Sequence, residues 1–270
     1  MGVYGNDQFG VVMQQGGLTR MTYVGGGVVF QFDEYEVGRG LLFPNSAVQV
    51  GNLVYYISTA GFCVTDGVQV RNIGAGKVDA YFRSQVNFGY KFQVRGAADF
   101  ERELVYWSYC SQTSGSTIPD QLIIYNWAED RWARASQTHV CITSSYHRVG
   151  ALQSPVRPYA WAASRTLGAF TGTAGSAVFE TGEVEWKPGA YSRVQGIKPL
   201  VDQSAVTVAL GTRNDQTSSV TYTAETTANS RTGFADFRAE ARYHRARVTI
   251  TGTFNSAQGV EFQGVPSGAV

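Results

Sequence analysis

The feature that most constrains this 270-residue sequence is a series of short, aromatic-rich, strand-like runs separated by glycine turns. The first is Val54-Tyr-Tyr-Ile-Ser-Thr-Ala-Gly-Phe-Cys-Val-Thr-Asp-Gly67. It reads as two strands with a tight return at Ala60-Gly61, closed by Asp66-Gly67, a pair that tolerates the positive φ of a tight turn. A second cassette runs Leu104-Val-Tyr-Trp-Ser-Tyr109, then Leu122-Ile-Ile-Tyr-Asn-Trp127 and Arg131-Trp132. A weaker third comprises Tyr159-Ala-Trp161 and Gly168-Ala-Phe170. Hairpins recurring in this way, each with an aromatic to wedge against its neighbour, predict an all-β chain built from β-propeller-like blades, possibly an incomplete propeller. Tyr106, Trp127 and Trp132 are expected to be buried wedges.

Composition supports that reading. Glycine accounts for 31 residues and aromatics for 13%, while charged residues make up only 16%, a mix suited to many short strands and tight turns with part of the surface turned toward other protein. The formal net charge of +1 implies no bulk attraction to nucleic acid or membrane. Lysine occurs only at 77, 91, 187 and 198, so the cationic groups are mostly arginine, which favours planar contacts at interfaces; codon bias gives the same excess. Cys63, Cys110 and Cys141 are odd in number and widely spaced, so no disulfide framework is expected, and Cys63 and Cys110 read as small core residues. No apolar run reaches membrane-spanning length and no signal-like segment opens the chain, which predicts synthesis in a reducing cytosol without membrane insertion.

The texture changes near 182–188, which predicts a propeller-like domain over 1–185 and a small β-sandwich-like domain over 186–270. Beyond that point the runs 191–201, 205–210, 219–223 and 246–251 alternate at period two, as strands with one buried and one wet face do. One short helix is expected at 75–82, and the polar tract 111–117 reads as an exposed loop.

The search for chemistry is mostly negative, and predicts no enzyme, no cofactor and no metal site. Around Gly74-Ala-Gly76-Lys77 the phosphate-loop pattern fails, because arginine stands at the first glycine position and Val78 where a hydroxyl is needed. No serine sits in a nucleophile elbow. His139, Cys141 and His147 lack zinc-site spacing. Glu183 with Glu185, and Asp33 with Glu34 and Glu36, invite a glycosidase reading, yet no repeated sugar-hydrolase turn accompanies them. Arginines and aromatics interleave without an acid over 131–165 (Arg131, Arg134, Arg148, Arg157 and Arg165), and a second group comprises Arg231, Arg238, Arg242, Arg245 and Arg247. Such tracks suit single-stranded nucleic acid, but no nucleic-acid fold signature goes with them. The expectation is subunit interfaces in which Arg131, Arg134, Arg148, Arg157, Arg242, Arg245 and Arg247 meet acidic stretches such as Asp33, Glu34 and Glu36, or 180–185, on neighbouring copies.

An ordered set of motifs points further: Gly38-Arg39-Gly40 with Pro44-Asn-Ser46, Gly61-Phe62 with Asp66-Gly67, Ile73-Gly74 and Lys77-Val78-Asp79. It continues with Tyr125-Asn126-Trp127, Arg131-Trp132, the stretch 189–202, Gly233-Phe234, Arg242-Tyr-His-Arg-Ala-Arg-Val248 and Ala257-Gln258-Gly259. In these the chain resembles the β-propeller tail nozzle, or tail tubular (tail accessory), proteins of short-tailed bacteriophages, from about residue 30 onward. The resemblance implies a virion structural protein, a ring-forming tail component, typically a homohexamer, that extends the DNA-ejection conduit below the portal and adaptor. Its partners would be other copies of itself, adaptor or portal-side tail proteins, tail fibres or a needle, and genomic DNA passing through the bore without sequence-specific binding. The chain looks like the C-terminal portion of larger relatives, with strand-like material at its start as though the fold were entered partway. Alternatives are a head-to-tail connector or stopper, a carbohydrate-binding or carbohydrate-cleaving tail protein, and a DNA-binding protein.

Overall fold

The computed structural model describes residues 2–5, 9–113, 115, 117–144, 158–170, 175–203 and 205–267. The chain is all-β, and forms two compact units, Met1–Thr171 and Gly172–Val270.

The first unit is a succession of antiparallel meanders in which every strand pairs with the next. The first sheet holds β1 (Gly2–Gly5), β2 (Phe9–Met13), β3 (Gly17–Tyr23) and β4 (Phe30–Val37). The second holds β5 (Val48–Val50), β6 (Leu53–Ser58), β7 (Gly61–Thr65) and β8 (Val70–Asn72). A helix, α1 (Asp79–Gln85), and a 3-10 turn (Phe88–Gln93) lead to a third sheet of β9 (Arg95–Asp99), β10 (Leu104–Tyr109), β11 (Gln121–Asn126) and β12 (Arg131–Ser136). Three shorter strands, β13 (Cys141–Thr143), β14 (Tyr159–Trp161) and β15 (Leu167–Ala169), make the fourth.

Turn chemistry explains why the chain reverses where it does. Asp66, Asn72, Asp99 and Asn126 each accept the backbone amides two and three residues ahead, at 2.9 to 3.1 Å. A side chain that mimics a backbone carbonyl in this way nucleates a turn locally, before any long-range contact exists. The expected hairpin return shifts by one residue: Ser58 pairs with Gly61, so the loop is Thr59-Ala60, with Gly61 at φ +123°.

Aromatics supply the packing between the second and third sheets, and of the three expected to be buried only Tyr106 is, although Trp127 and Trp132 pack against Tyr55 and Phe62 of the second sheet. Trp107 and Tyr109 are wholly buried, Tyr106 nearly so, and Trp127 and Trp132 only half-buried. Trp132 lies at the periphery because β12 is the edge of its sheet, and Trp127 because it stands in the turn between β11 and β12, whereas β10 is an inner strand with neighbours on both sides. Cys63 and Cys110 are buried thiols, as expected of core residues.

The helix begins at Asp79 rather than at 75, because 74–78 is occupied by a turn in which the Gly74 carbonyl accepts from the amides of Lys77, Val78 and Asp79. Ser111 is not an exposed loop residue either. It is buried, and its amide and hydroxyl both reach the Asp120 carboxylate at 2.7 Å.

The second unit is a two-layer sandwich. One sheet runs β16 (Ser176–Glu180), β22 (Tyr243–Thr251), β18 (Val206–Arg213) and β19 (Thr221–Tyr222), with β20 (Thr226–Thr227) also on β18. The other is β21 (Ala235–Ala241), β17 (Ser192–Val201) and β23 (Ala257–Pro266). Val194 and Ile197 from one sheet meet Val206, Val208, Leu210, Ala246, Val248 and Ile250 from the other, the alternate positions that period two assigns to a single face. The dividing point lies at Thr171/Gly172 rather than 185/186, because Ser176–Glu180 pairs along β22.

Candidate interaction surfaces

Several of the motif residues singled out in the sequence sit at joints between successive sheets or between a sheet and α1. Ser46 is fully buried; its hydroxyl accepts from the Ile57 amide at 3.1 Å, and its carbonyl accepts from the Trp107 indole N–H at 2.8 Å, so one residue ties the second sheet to the third. Its neighbour Asn45 bridges Arg95 in parallel, and the Asn45 carbonyl accepts from the Gly96 amide at 3.0 Å. The buried Asp79 carboxylate accepts from the Phe62 amide at 3.0 Å, and a Cβ at either Gly61 or Gly74 would collide with that carboxylate. Glycine is required at both positions for close approach. Arg39 grips the Glu36 carboxylate with two bonds of 2.7 and 2.8 Å and donates to the Val70 carbonyl, linking the first sheet to the second. Tyr35 adds to that link. It is the extra residue where the β3–β4 register shifts, and its hydroxyl meets that of Thr65 at 2.9 Å.

The arginines fall into two environments. Arg247 on β22 lies directly opposite Glu180 on β16 and contacts it at 2.7 Å, with its guanidinium 3.7 Å from the Tyr222 ring centroid. Arg245 reaches Glu183 at 2.8 Å and Glu180 at 3.7 Å, and Arg213 also bonds Glu183. Arg213 and Arg245 hold the Glu183 carboxyl below its ordinary pKa against a smaller effect of burial. For Glu180, burial is the largest influence and pushes the value up, but hydrogen bonds from Arg247 and Tyr222 outweigh it and the net shift is downward. Arg242 stacks over Tyr191 at 5.3 Å. The expected pairing of this group with 180–185 therefore forms within one chain, not between neighbours. Arg213 was absent from the sequence expectations because it lies some thirty residues from the cluster and only the β18–β22 ladder brings it close.

On β12 the situation is different. Arg134 donates to the Tyr81 hydroxyl at 2.9 Å and lies 5.1 Å from that ring, and Arg131 is exposed with no ion pair among the described residues. Arg148 and Arg157 lie outside the described residues. On β4, among the described residues, Asp33 accepts from the Gln31 side chain at 2.9 and 3.0 Å, and neither Asp33 nor Glu34 has an ion pair. Glu36 is taken by Arg39.

The glycosidase and metal candidates are otherwise engaged. Glu185 accepts the Gly189 amide at 2.7 Å, and Glu183 is held by its two arginines. His139 is buried, with Nδ1 donating to the Gln137 carbonyl at 2.7 Å and Nε2 accepting from the Ser108 hydroxyl at 2.8 Å. Its His147 counterpart lies outside the described residues. No metal-capable cluster of three His, Cys, Asp or Glu occurs among the described residues.

One cleft stands out between the second and third sheets, with a volume of about 450 Å³. Tyr55, Tyr125 and Trp127 line it, with Arg71, Lys77 and Asp130 at its polar side. Trp127 stacks on Tyr55 at 6.2 Å, and Asp130 is held by Lys77 at 2.5 Å and by the Tyr125 hydroxyl at 3.1 Å.

No protein-family model matches the chain, and no curated protein is significantly similar to it.

Proposed function

We propose that the chain is a virion structural protein, a ring-forming component of a short bacteriophage tail that extends the conduit through which DNA leaves the particle. The observation that carries the reading is where the motif residues sit. Ser46, Gly61, Gly74 and Asp79, which carry the resemblance to tail nozzle proteins, are buried joints, Ser46 between the second and third sheets and the other three between the second sheet and α1, the helix that leads to the third. The residues that carry the likeness are thus ones that hold meander sheets side by side, the arrangement from which propeller blades are built. The role is mechanical: rigid β units hold a fixed bore, and ring closure covers strand edges left open in a single copy. Partners are other copies of the chain, most simply six in all, with adaptor-side tail proteins above and DNA passing through without sequence readout.

Reconstruction of intact particles tests this reading. The expected result is this chain in a symmetric ring on the tail axis. One copy per particle, or a position on the capsid surface away from the axis, refutes it.

A second reading has one observation in its favour, the aromatic cleft at Tyr55, Tyr125 and Trp127, whose volume falls in the range of small-ligand sites. It would bind a saccharide rather than cleave one. Hydrolysis calls for two carboxyl groups across the bond, and the lining contributes only Asp130, already bonded to Lys77 and Tyr125. Binding on a glycan array that disappears in Trp127→Ala supports this reading, and an empty array removes it.

A further inference from the structure

Two of the edge strands of the first unit form a complementary pair. β4 is the last strand of its sheet and β12 the last of another, so each carries a row of backbone groups with no strand partner among the described residues. β4 is eight residues long and exposed over most of its length, including Phe30 at 44% and Phe32 at 59%. A long, exposed, partly apolar edge is what soluble proteins ordinarily cover or blunt. Its charge is wholly acidic, Asp33, Glu34 and Glu36, and that of β12 wholly basic, Arg131 and Arg134. The other arginine group has its carboxylates inside its own chain, in Glu180 and Glu183. Arg131 with Arg134, and Asp33 with Glu34, are left without ion pairs among the described residues.

We propose that β4 of one copy pairs antiparallel with β12 of the next, joining two sheets into one across the subunit boundary. This rests on the ring reading above and names the surface that closes the ring. An antiparallel register with Arg134 opposite Asp33 also sets Ala135 opposite Phe32, so charge and apolar contacts agree in a single alignment. The contact is heterologous, one edge meeting a different edge, and therefore generates a ring or a helix rather than a closed dimer. The same acidic strand is repelled by an anionic membrane surface, which favours protein over lipid as its occupant.

The test is charge reversal with rescue, read by sedimentation velocity over a wide concentration range. Asp33→Lys and Arg134→Glu, the pair set opposite in that register, are each expected to weaken self-association at least about tenfold, since like charges then face one another. Combining both substitutions in one chain restores it. Mixing the two reversed proteins also restores it, by alternation, and an alternating ring closes only with an even number of subunits. Both reversed proteins should keep the circular dichroism spectrum of the parent, because the altered side chains make no buried contact. Reversed variants that associate like the parent, or a parent that stays monomeric at every concentration, overturn the edge pairing, and the particle reconstruction still decides the ring itself. Flotation of the parent with phosphatidylglycerol vesicles, lost in Phe32→Glu, would assign the strand to a membrane and overturn the proposal as well.

Discussion

β22 and β12 both carry two arginines, and the fold treats them oppositely. β22 lies inside its sheet, flanked by β16 and β18, and its neighbours deliver Glu180 and Glu183 to Arg245 and Arg247. β12 ends its sheet, and its arginines face an aromatic ring and solvent. The difference teaches that a charged strand is self-sufficient when it is central and available to a partner when it is at an edge, because only a central strand has two ladders to bring carboxylates alongside.

The largest effect expected from that contrast lies in the aromatics. Trp107, on the inner strand β10, is fully buried and bonded to Ser46, so Trp107→Ala should lower stability by about 3–5 kcal/mol in urea denaturation. Trp132→Ala on the edge should cost clearly less, about 1–2 kcal/mol, because the side chain is only half-buried. Equal losses would mean that β12 is as integral as β10, and would remove the basis for treating it as an available edge.

Next in size is a pH effect. Burial pushes His139 and His244 below the ordinary imidazole value. Around His244 the cause is visible, since Nε2 donates to the Ser192 and Ala241 carbonyls while Nδ1 is buried with no partner, so a second proton would be an unpaired buried donor. With the folded pKa below the unfolded one, the unfolded chain binds more protons between the two values. Stability is therefore full above about pH 6.5 and falls as pH drops through the folded pKa, by at most about 1.4 kcal/mol per pH unit for each histidine. Replacing His244 with Gln should flatten the slope of the second unit's transition, and an unchanged slope would clear this histidine of the effect.

Smaller still is the ion-pair network. Glu183→Gln leaves Arg213 and Arg245 without their shared carboxylate, and about 1 kcal/mol is expected after allowance for solvent screening, diminishing in high salt. At the bottom of the scale, Arg131→Ala should alter the stability of the single chain by less than about 0.5 kcal/mol. If Arg131→Ala cost as much as Glu183→Gln, the β12 arginine would have an internal role and the contrast between the two strands would disappear.

Much of the architecture was legible because its signals are local. Asp66, Asn72 and Asn126 announce turns through their own side chains, and the alternation from Tyr243 to Thr251 marks one face of a strand wherever that strand ends up. The exposure of β4 was not readable in this way: Phe30, Gln31, Phe32 and Asp33 alternate apolar and polar as a half-buried strand does, yet Phe30 and Phe32 are both exposed. What the sequence by itself determined was an all-β chain of short hairpins followed by longer alternating strands, because turn geometry and period-two patterning are properties of neighbouring residues. Only the tertiary structure decided which aromatic is a wedge and which arginine has a partner. Trp107 and Trp132 differ in strand order, not in local sequence, and Glu183 meets Arg213 and Arg245 only because sheet pairing closes gaps of 30 and 62 residues along the chain.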